Sequence, residues 1–276
     1  MQSRLEIHDL ASGENRLVLE TAAHFEAPNW SRDGSHLLVN GGGRLYRVAL
    51  SAAPQLQLID TGPAIACNND HGLSPDGQFL VISDNGVDGQ SCIHILPSAG
   101  GEPRRVTPLT PSWWHGWSPD GARLAYAAMR NGLFFIADCL LDGADERLLI
   151  GGDGAHYDGP DYGPDGLLWF NSDRGGSMQL WRMQPDGTDA VEVTRDDRVN
   201  WFPHPSPDRM RVLYLSYASG VKGHPANHDV ELRLLDPVTG GTWTLVSLHG
   251  GQGSINVPCW SPDGNQFAFM RYTSNS

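Results

Sequence analysis

Trp117-Ser118-Pro119-Asp120-Gly121 is the stretch of sequence that decides the fold, because versions of it recur along the whole chain. An apolar run, Leu124-Ala125-Tyr126-Ala127, follows it. The six turn cores are Ser31-Arg32-Asp33-Gly34, Ser74-Pro75-Asp76-Gly77, Ser118-Pro119-Asp120-Gly121, Gly163-Pro164-Asp165-Gly166, Ser206-Pro207-Asp208-Arg209 and Ser261-Pro262-Asp263-Gly264. Their aspartates are 43, 44, 45, 43 and 55 residues apart. Six copies at this period indicate a repeat protein with one structural unit per turn.

Each repeat is interpreted as four short β-strands. An aromatic residue such as Trp30, Trp117 or Trp260 ends the strand before the turn. Proline fixes φ at the first corner of the turn, and glycine tolerates a positive φ near its end. Apolar residues then alternate with a period of two, and turn residues recur about every ten positions, which is typical of a β-meander.

The two ends of the chain are predicted to complete one blade. The last repeat stops near Tyr272 after two strands, and two strands at 4–8 and 15–19 precede the first turn without an inner hairpin of their own. Pairing the two halves closes the ring and leaves no open sheet edge. We therefore predict an all-β fold, a single six-bladed β-propeller over 1–276. Its blades are four-stranded, and the N- and C-terminal strands share one of them.

Composition and charge limit the possible partners. The net charge is −13, the pI is about 5.1, and only 19 residues are Lys or Arg. Nucleic acids are bound through clustered basic residues, so we expect no nucleic-acid partner. No apolar run reaches the roughly 18 residues that span a bilayer, and we expect a soluble, monomeric protein without membrane insertion. The N-terminal residues resemble no signal peptide, which predicts a cytoplasmic protein as the sequence stands and a periplasmic one if a signal has been removed.

Candidate binding residues emerge when the six copies are aligned on the turn aspartate. Five residues before it, four copies have proline, whereas two neighbouring copies have His71 and His115. Nine residues before it lie His24 and His156 in two copies. Seven residues before it lie Glu26, Asn69, Trp113, Asp158, Trp201 and Asn256. These positions belong to one face of the ring, where loops on a rigid scaffold converge around the central channel.

An insertion at 219–228 explains most of the 55-residue spacing and contains His224 and His228. It belongs to the same face, and long ordered loops tend to be functional. The predicted binding residues are therefore Glu26, Asn69, His71, Trp113, His115, His156, Asp158, Trp201, His204, His224 and His228.

Three interpretations of the histidines remain open at this level. His71 and His115 could hydrogen-bond to backbone groups in the channel mouth. Alternatively, they could bind a divalent metal together with His156, or with His204 as third ligand, because imidazoles on adjacent blades can converge on one ion. A third possibility is a polar or sugar ligand that stacks on Trp113 or Trp201. No motif such as HExxH enforces a metal site, and no cofactor is certain.

The segment Ser172-Asp173-Arg174-Gly175-Gly176-Ser177-Met178-Gln179-Leu180-Trp181-Arg182-Met183-Gln184-Pro185-Asp186-Gly187, together with the repeated Trp-Ser-Pro-Asp-Gly, resembles the propeller repeats of the TolB family. The resemblance covers essentially the whole chain and implies a bacterial protein that binds a partner in cell-envelope assembly. TolB itself also has an N-terminal α/β domain, for which this sequence shows no pattern. Some relatives of the repeat family are oligogalacturonate lyases, in which histidines hold a divalent metal.

Two functional hypotheses follow. The first is a non-enzymatic module that binds a protein partner or a small polar or carbohydrate ligand through the face bearing the His/Trp positions and the 219–228 insertion. The alternative is a metal-dependent, carbohydrate-active enzyme with channel histidines, His71, His115 and His156, as metal ligands. In such a site the metal would neutralise a uronate carboxylate while a base removes the neighbouring proton.

Overall fold

Six antiparallel sheets arise from consecutive segments of the chain in the computed structural model, which describes residues 2–86 and 89–273. Five sheets contain four consecutive strands each, and the sixth contains the first two strands and the last. The strands are β1 (Gln2–Asp9), β2 (Asn15–Thr21), β3 (Glu26–Trp30), β4 (His36–Gly41), β5 (Arg44–Ala49), β6 (Leu56–Leu58), β7 (Cys67–Leu73), β8 (Phe79–Asp84), β9 (Cys92–Pro97), β10 (Arg104–Arg105), β11 (Ser112–Trp117), β12 (Arg123–Arg130), β13 (Leu133–Leu140), β14 (Arg147–Gly151), β15 (Tyr157–Tyr162), β16 (Leu168–Ser172), β17 (Gln179–Met183), β18 (Val191–Glu192), β19 (Val199–Pro205), β20 (Val212–Tyr217), β21 (His228–Leu235), β22 (Thr242–Gly250) and β23 (Gln266–Thr273). One turn of 3-10 helix, Gln252–Ser254, is the only helical element of the described residues. The predicted six-bladed, all-β propeller is confirmed.

The Ser-Pro-Asp-Gly turns have a common hydrogen-bond pattern. In each of the five copies that begin with serine, the serine Oγ donates to the aspartate Oδ1 two residues later, at 2.5–2.8 Å. In all six copies the same aspartate Oδ1 accepts the backbone N–H two residues further on. Aspartate thus closes the turn with its own side chain, which explains why this residue is present in every copy.

Arg209 occupies the position that is glycine in the other five turns, and it has the same left-handed backbone, with φ of 65°. This conformation costs a residue with a side chain about 1 kcal/mol relative to glycine. We therefore expect Arg209→Gly to be about 1 kcal/mol more stable than Arg209→Ala, because alanine keeps the strained backbone. Urea denaturation of both variants measures the difference, and equal stabilities would contradict a strained turn.

The ring closes through strands from both ends of the chain. β1 pairs with β2 on one side and with β23 on the other, from Gln2↔Thr273 to Asp9↔Gln266. Arg271 Nε also donates to Glu6 Oε1 at 3.1 Å across this pairing. The fourth, innermost strand of this blade is reduced to a single bridge between Trp260 and Phe267. The predicted closure is therefore confirmed, with an inner strand shorter than in the other blades.

Large side chains fill the spaces between neighbouring blades. Trp114 on β11 is 1% exposed, and its ring packs against Gly72 on β7, where an added Cβ would collide with it. All four cysteines, Cys67, Cys92, Cys139 and Cys259, are buried and free. In the described part of the chain, no helix has the length and apolarity needed to cross a bilayer.

Candidate functional site

Two adjoining cavities lie on the propeller face opposite to the Ser-Pro-Asp-Gly turns. Their volumes are about 410 and 310 Å³, and they share Asp70, Trp113 and Gln252 as lining residues. We call the two together the loop-face cleft. Among the described residues, neither cavity is lined by a lysine or an arginine. The cleft therefore offers carboxylates, amides and imidazoles, but no permanently cationic side chain.

The two cavities differ in chemistry. The first is lined mainly by amides and a carboxylate, namely Glu26, Asn40, Asn68, Asn69 and Asn85. The second combines imidazoles and a carboxylate with an aromatic wall, namely His115, His156, Asp158, His224 and Phe134. Trp113 stacks on Phe134, with ring centroids 6.3 Å apart, and lies at the boundary. An elongated ligand can therefore contact an amide-rich part and an imidazole-rich part at once.

A β-bulge in each inner strand brings these side chains into the cleft. The register shifts between Glu26 and Asn29, and at the matching points of β7, β11, β15 and β19. In three blades the residue six before the turn aspartate has a positive φ: Ala27, Gly159 and Phe202. A bulge interrupts the alternation of side chains and redirects them. Neighbouring residues such as Asn69 and Asp70 can consequently both line the cleft.

Asp158 is the centre of a cluster of imidazoles from three parts of the chain. Its Oδ1 lies 3.1 Å from His115 Nε2. Its Oδ2 lies 3.7 Å from His156 Nε2 and 3.5 Å from His224 Nε2. Since His224 belongs to the 219–228 insertion, Asp158 ties that loop to the fourth blade. This residue therefore joins the insertion to the cleft.

The electrostatics of the cluster favour an ionised Asp158. Burial alone would raise the pKa of Asp158, but hydrogen bonds from the imidazoles, His115 first, hold it well below its usual range. Burial, the largest influence, lowers the pKa of His115 and of His156. The contact with Asp158 and the other negative charges near each ring, Asp70 at His115 and Asp173 at His156, together outweigh burial and raise both pKa values. The cluster thus holds protons on imidazole nitrogens at pH values where free histidine is neutral.

Asp70 lies at the junction of the two cavities and is 3% exposed. Burial raises its pKa to about 6, while the charge of His115 lowers it and the charge of Asp158 raises it. Asn256 Nδ2 donates to Asp70 Oδ1 at 2.6 Å. At neutral pH this carboxylate is largely ionised, although it is surrounded by protein.

Four of the sequence-predicted residues lie outside the cleft lining. His71 is fully buried, neither ring nitrogen has a hydrogen-bond partner in the described structure, and burial lowers its pKa to about 4. His204 is buried against Asp161 Oδ2, at 3.0 Å, and Ile255 O, at 2.7 Å. Trp201 is 1% exposed, which prevents it from serving as a stacking platform. His228 begins β21 and packs on Tyr217.

The predicted metal centre of His71, His115 and His156 is not assembled. Among residues 2–86 and 89–273, no group of three or more His, Cys, Asp or Glu is arranged to hold a metal ion. His115 and His156 direct Nε2 at Asp158, and His71 is fully buried and does not line the cleft. The residues present therefore do not fit a three-histidine metal centre.

Comparison with known proteins identifies the family. No protein-family model matches the chain. The uncharacterized protein Atu1656 of Agrobacterium fabrum is 47% identical over 273 residues, which are 99% of this chain and 93% of that protein. A solved TolB-like structure from Agrobacterium tumefaciens is 46% identical, with a TM-score of 0.97 over 100% of this chain and 99% of the other. The chain belongs to the TolB-like propeller family. The family resemblance predicted from the repeats is thereby confirmed.

A more distant neighbour in fold is an oligogalacturonate lyase in complex with manganese. It is 17% identical, with a TM-score of 0.60 over 95% of this chain and 70% of the other. At this identity the likeness extends to the propeller alone. It gives no argument for a metal or for lyase chemistry in this chain.

The central channel of this TolB-like propeller has a further cavity at its turn face, of about 290 Å³. Prolines of the turns and the indoles of Trp30, Trp117 and Trp260 line it. The aligned residues that the sequence singles out lie at the other face. Five of the six residues seven before the turn aspartate line the loop-face cleft: Glu26, Asn69, Trp113, Asp158 and Asn256.

Sequence reasoning missed several lining residues of the TolB-like cleft. Asp70 lies one residue from the aligned ring, on the face that strict alternation would turn away. Gln252 precedes the last repeat, in a segment that aligns with no other copy. Asn40 lies near the end of β4, and Asn85 directly follows β8. The occurrence of asparagine at the ends of these two second strands is the signal that could have identified them.

Proposed function

We propose that this chain is a binding module that takes a polar segment of a partner protein in the loop-face cleft. The observation that supports the proposal is the convergence of hydrogen-bonding side chains from several blades on two cavities that share Asp70, Trp113 and Gln252. A single small ligand needs one cavity. Two adjoining cavities with a common aromatic boundary suit neighbouring side chains of one extended segment.

Unsatisfied polar atoms support a ligand at this place. Asn40 Oδ1, His115 Nδ1 and Asn256 Oδ1 are buried, line the cleft, and have no hydrogen-bond partner in the described structure. Buried polar groups are satisfied in the great majority of native structures, since leaving one unpaired costs about 1–3 kcal/mol. A bound segment that supplies the missing partners recovers that free energy.

Trp113 is the residue on which binding should depend most. Peptides selected from a displayed random library on the purified chain would serve as ligands, and calorimetry would measure their affinity. We expect Trp113→Ala to weaken a selected peptide by about tenfold or more, because an indole platform contributes at least about 1.4 kcal/mol of buried apolar contact.

Trp243 provides the matched control. It lies on the outer strand β22 and is 43% exposed, away from the cleft. Trp243→Ala should therefore leave the affinity unchanged. An equal loss of peptide affinity in the two variants, or no loss of affinity in Trp113→Ala, would contradict binding in the cleft. Selection of no peptide by the wild-type chain would equally argue against a segment-binding module.

A further inference from the structure

We infer that the ligand of the loop-face cleft carries a cationic nitrogen, an ammonium or a guanidinium, which binds at Asp70. This inference rests on the proposed function and specifies the chemistry of the ligand. Asp70 is only 3% exposed, and it lines both cavities at their junction. Asp70 is the one carboxylate among the three residues that the two cavities share, so a ligand that spans the cleft passes beside it.

Among the described residues Asp70 forms no ion pair, and the charge of His115 lowers its pKa without direct contact. Its neighbour in the cleft, Asp158, has by contrast three imidazoles within 3.7 Å. The side chains that lower the pKa of Asp70 by hydrogen bonding are the neutral amides of Asn256 and Asn68. Buried carboxylates are otherwise paired with a positive charge or coordinate one, because isolated burial is costly. The missing charge can come from a ligand.

Two of the unpaired groups in the cleft lining, Asn256 Oδ1 and Asn40 Oδ1, are acceptors. Asn256 directs its Nδ2 at the Asp70 carboxylate, which fixes the amide orientation and leaves Oδ1 buried and without a donor. Asn40 Oδ1, in the first cavity, is also buried without a donor. An ammonium or guanidinium has several N–H donors and no acceptor, which matches this set. An anionic ligand would bring more acceptors and would meet no lysine or arginine in the lining.

Trp113 adds an aromatic surface next to the same carboxylate. It lines both cavities together with Asp70. Tryptophan is the side chain whose ring attracts cations most strongly, and the combination of an indole with a carboxylate is selective for organic cations over neutral polar groups. The cationic group belongs either to a lysine or arginine side chain of a bound segment or to a free amine, and the test separates these two sources.

Calorimetric titration of the wild-type chain with paired probes tests the inference without relying on any variant. N-acetyl-arginine amide and N-acetyl-lysine amide are compared with their neutral isosteres, N-acetyl-citrulline amide and N-acetyl-6-hydroxynorleucine amide. Agmatine and butylamine represent free cations. We expect each cationic amino-acid amide to bind about tenfold or more tightly than its isostere, the factor expected of a charge-assisted contact. Agmatine and butylamine should bind more weakly than the amides if the source is a peptide.

Two substitutions test whether Asp70 causes the preference for cationic over neutral probes. Asp70→Asn keeps the shape and should abolish the preference for cationic probes. Asp229→Asn, at a carboxylate whose side chain is 92% exposed, should preserve it. Equal binding of cationic and neutral probes, no binding of the cationic probes, or a preference retained in Asp70→Asn would overturn the inference. Library peptides that depend on Trp113 but lack lysine and arginine would overturn it while leaving the proposed segment-binding function intact.

Discussion

Replacing Trp114 with alanine is expected to lower the free energy of unfolding by about 4 kcal/mol, the usual cost of removing a large buried aromatic side chain. Trp114 is 1% exposed and fills the space between the second and third blades. Gly72 faces its ring across the blade boundary, and an alanine there would collide with the indole. No other side chain can close the cavity without a shift of the blades.

Urea denaturation of Trp114→Ala and Trp113→Ala makes this a matched comparison of adjacent tryptophans. Trp113 is half-buried and lines the cleft, so its removal should cost about 1 kcal/mol or less in stability while it weakens peptide binding. Trp114 should show the opposite pattern, with a large loss of stability. A loss below about 1 kcal/mol for Trp114→Ala would contradict the packing role.

Asp158→Asn is expected to lower the free energy of unfolding by about 2 kcal/mol near pH 6. The substitution leaves His115, His156 and His224 without the carboxylate that they share. Removing one partner of a buried charged network leaves the others unpaired and destabilises the fold. The exposed pair of His249 with Asp229, at 2.9 Å, is the control, and Asp229→Asn should change stability by less than about 0.5 kcal/mol.

The pH dependence of this effect has a definite sign. The folded-state pKa values of His115 and His156 are raised above 6.5. Their contribution to stability is therefore complete below pH 6.5 and is lost as the pH rises through the folded-state values. The pKa of Asp158 is held well below 3.8, so its own contribution persists above that value and is lost only in strong acid. Urea denaturation measures the free energy of unfolding of wild type and of Asp158→Asn. The difference between the two should be larger near pH 6 than near pH 9. A difference that grows toward pH 9 would contradict this assignment.

The architecture could be predicted from the sequence because it depends on local turn chemistry. Asp120 and its counterparts close each turn with their own side chains, so six copies at a regular period indicate six inner hairpins directly. The closing blade was also predictable, since strands left over at both ends can pair only with each other. The single bridge at Trp260, in place of a full inner strand, was not predictable, because the Trp260-Ser261-Pro262-Asp263-Gly264 stretch is the same as in the copy at 117–121, which has a full inner strand.

The site was predicted only in part, for a reason that lies in the inner strands. Aligning the repeats found Glu26, Trp113 and Asp158, which the structure brings to one cleft. The alignment selected positions five, seven and nine residues before the turn aspartate, so it passed over Asp70 at six, which the β-bulge of β7 makes available to both cavities. His71 was chosen because it replaces the usual proline, and it is instead fully buried. Bulges depend on hydrogen bonding between strands and leave no simple period in the sequence.

Hydrogen–deuterium exchange of the wild-type chain, with and without a selected peptide, tests the central claim most directly. The account predicts added protection at 67–71, 112–115 and 218–228, which carry the residues of the loop-face cleft, and unchanged exchange in the turns at 74–77 and 118–121. Protection confined to those turns, at the opposite face, would contradict it.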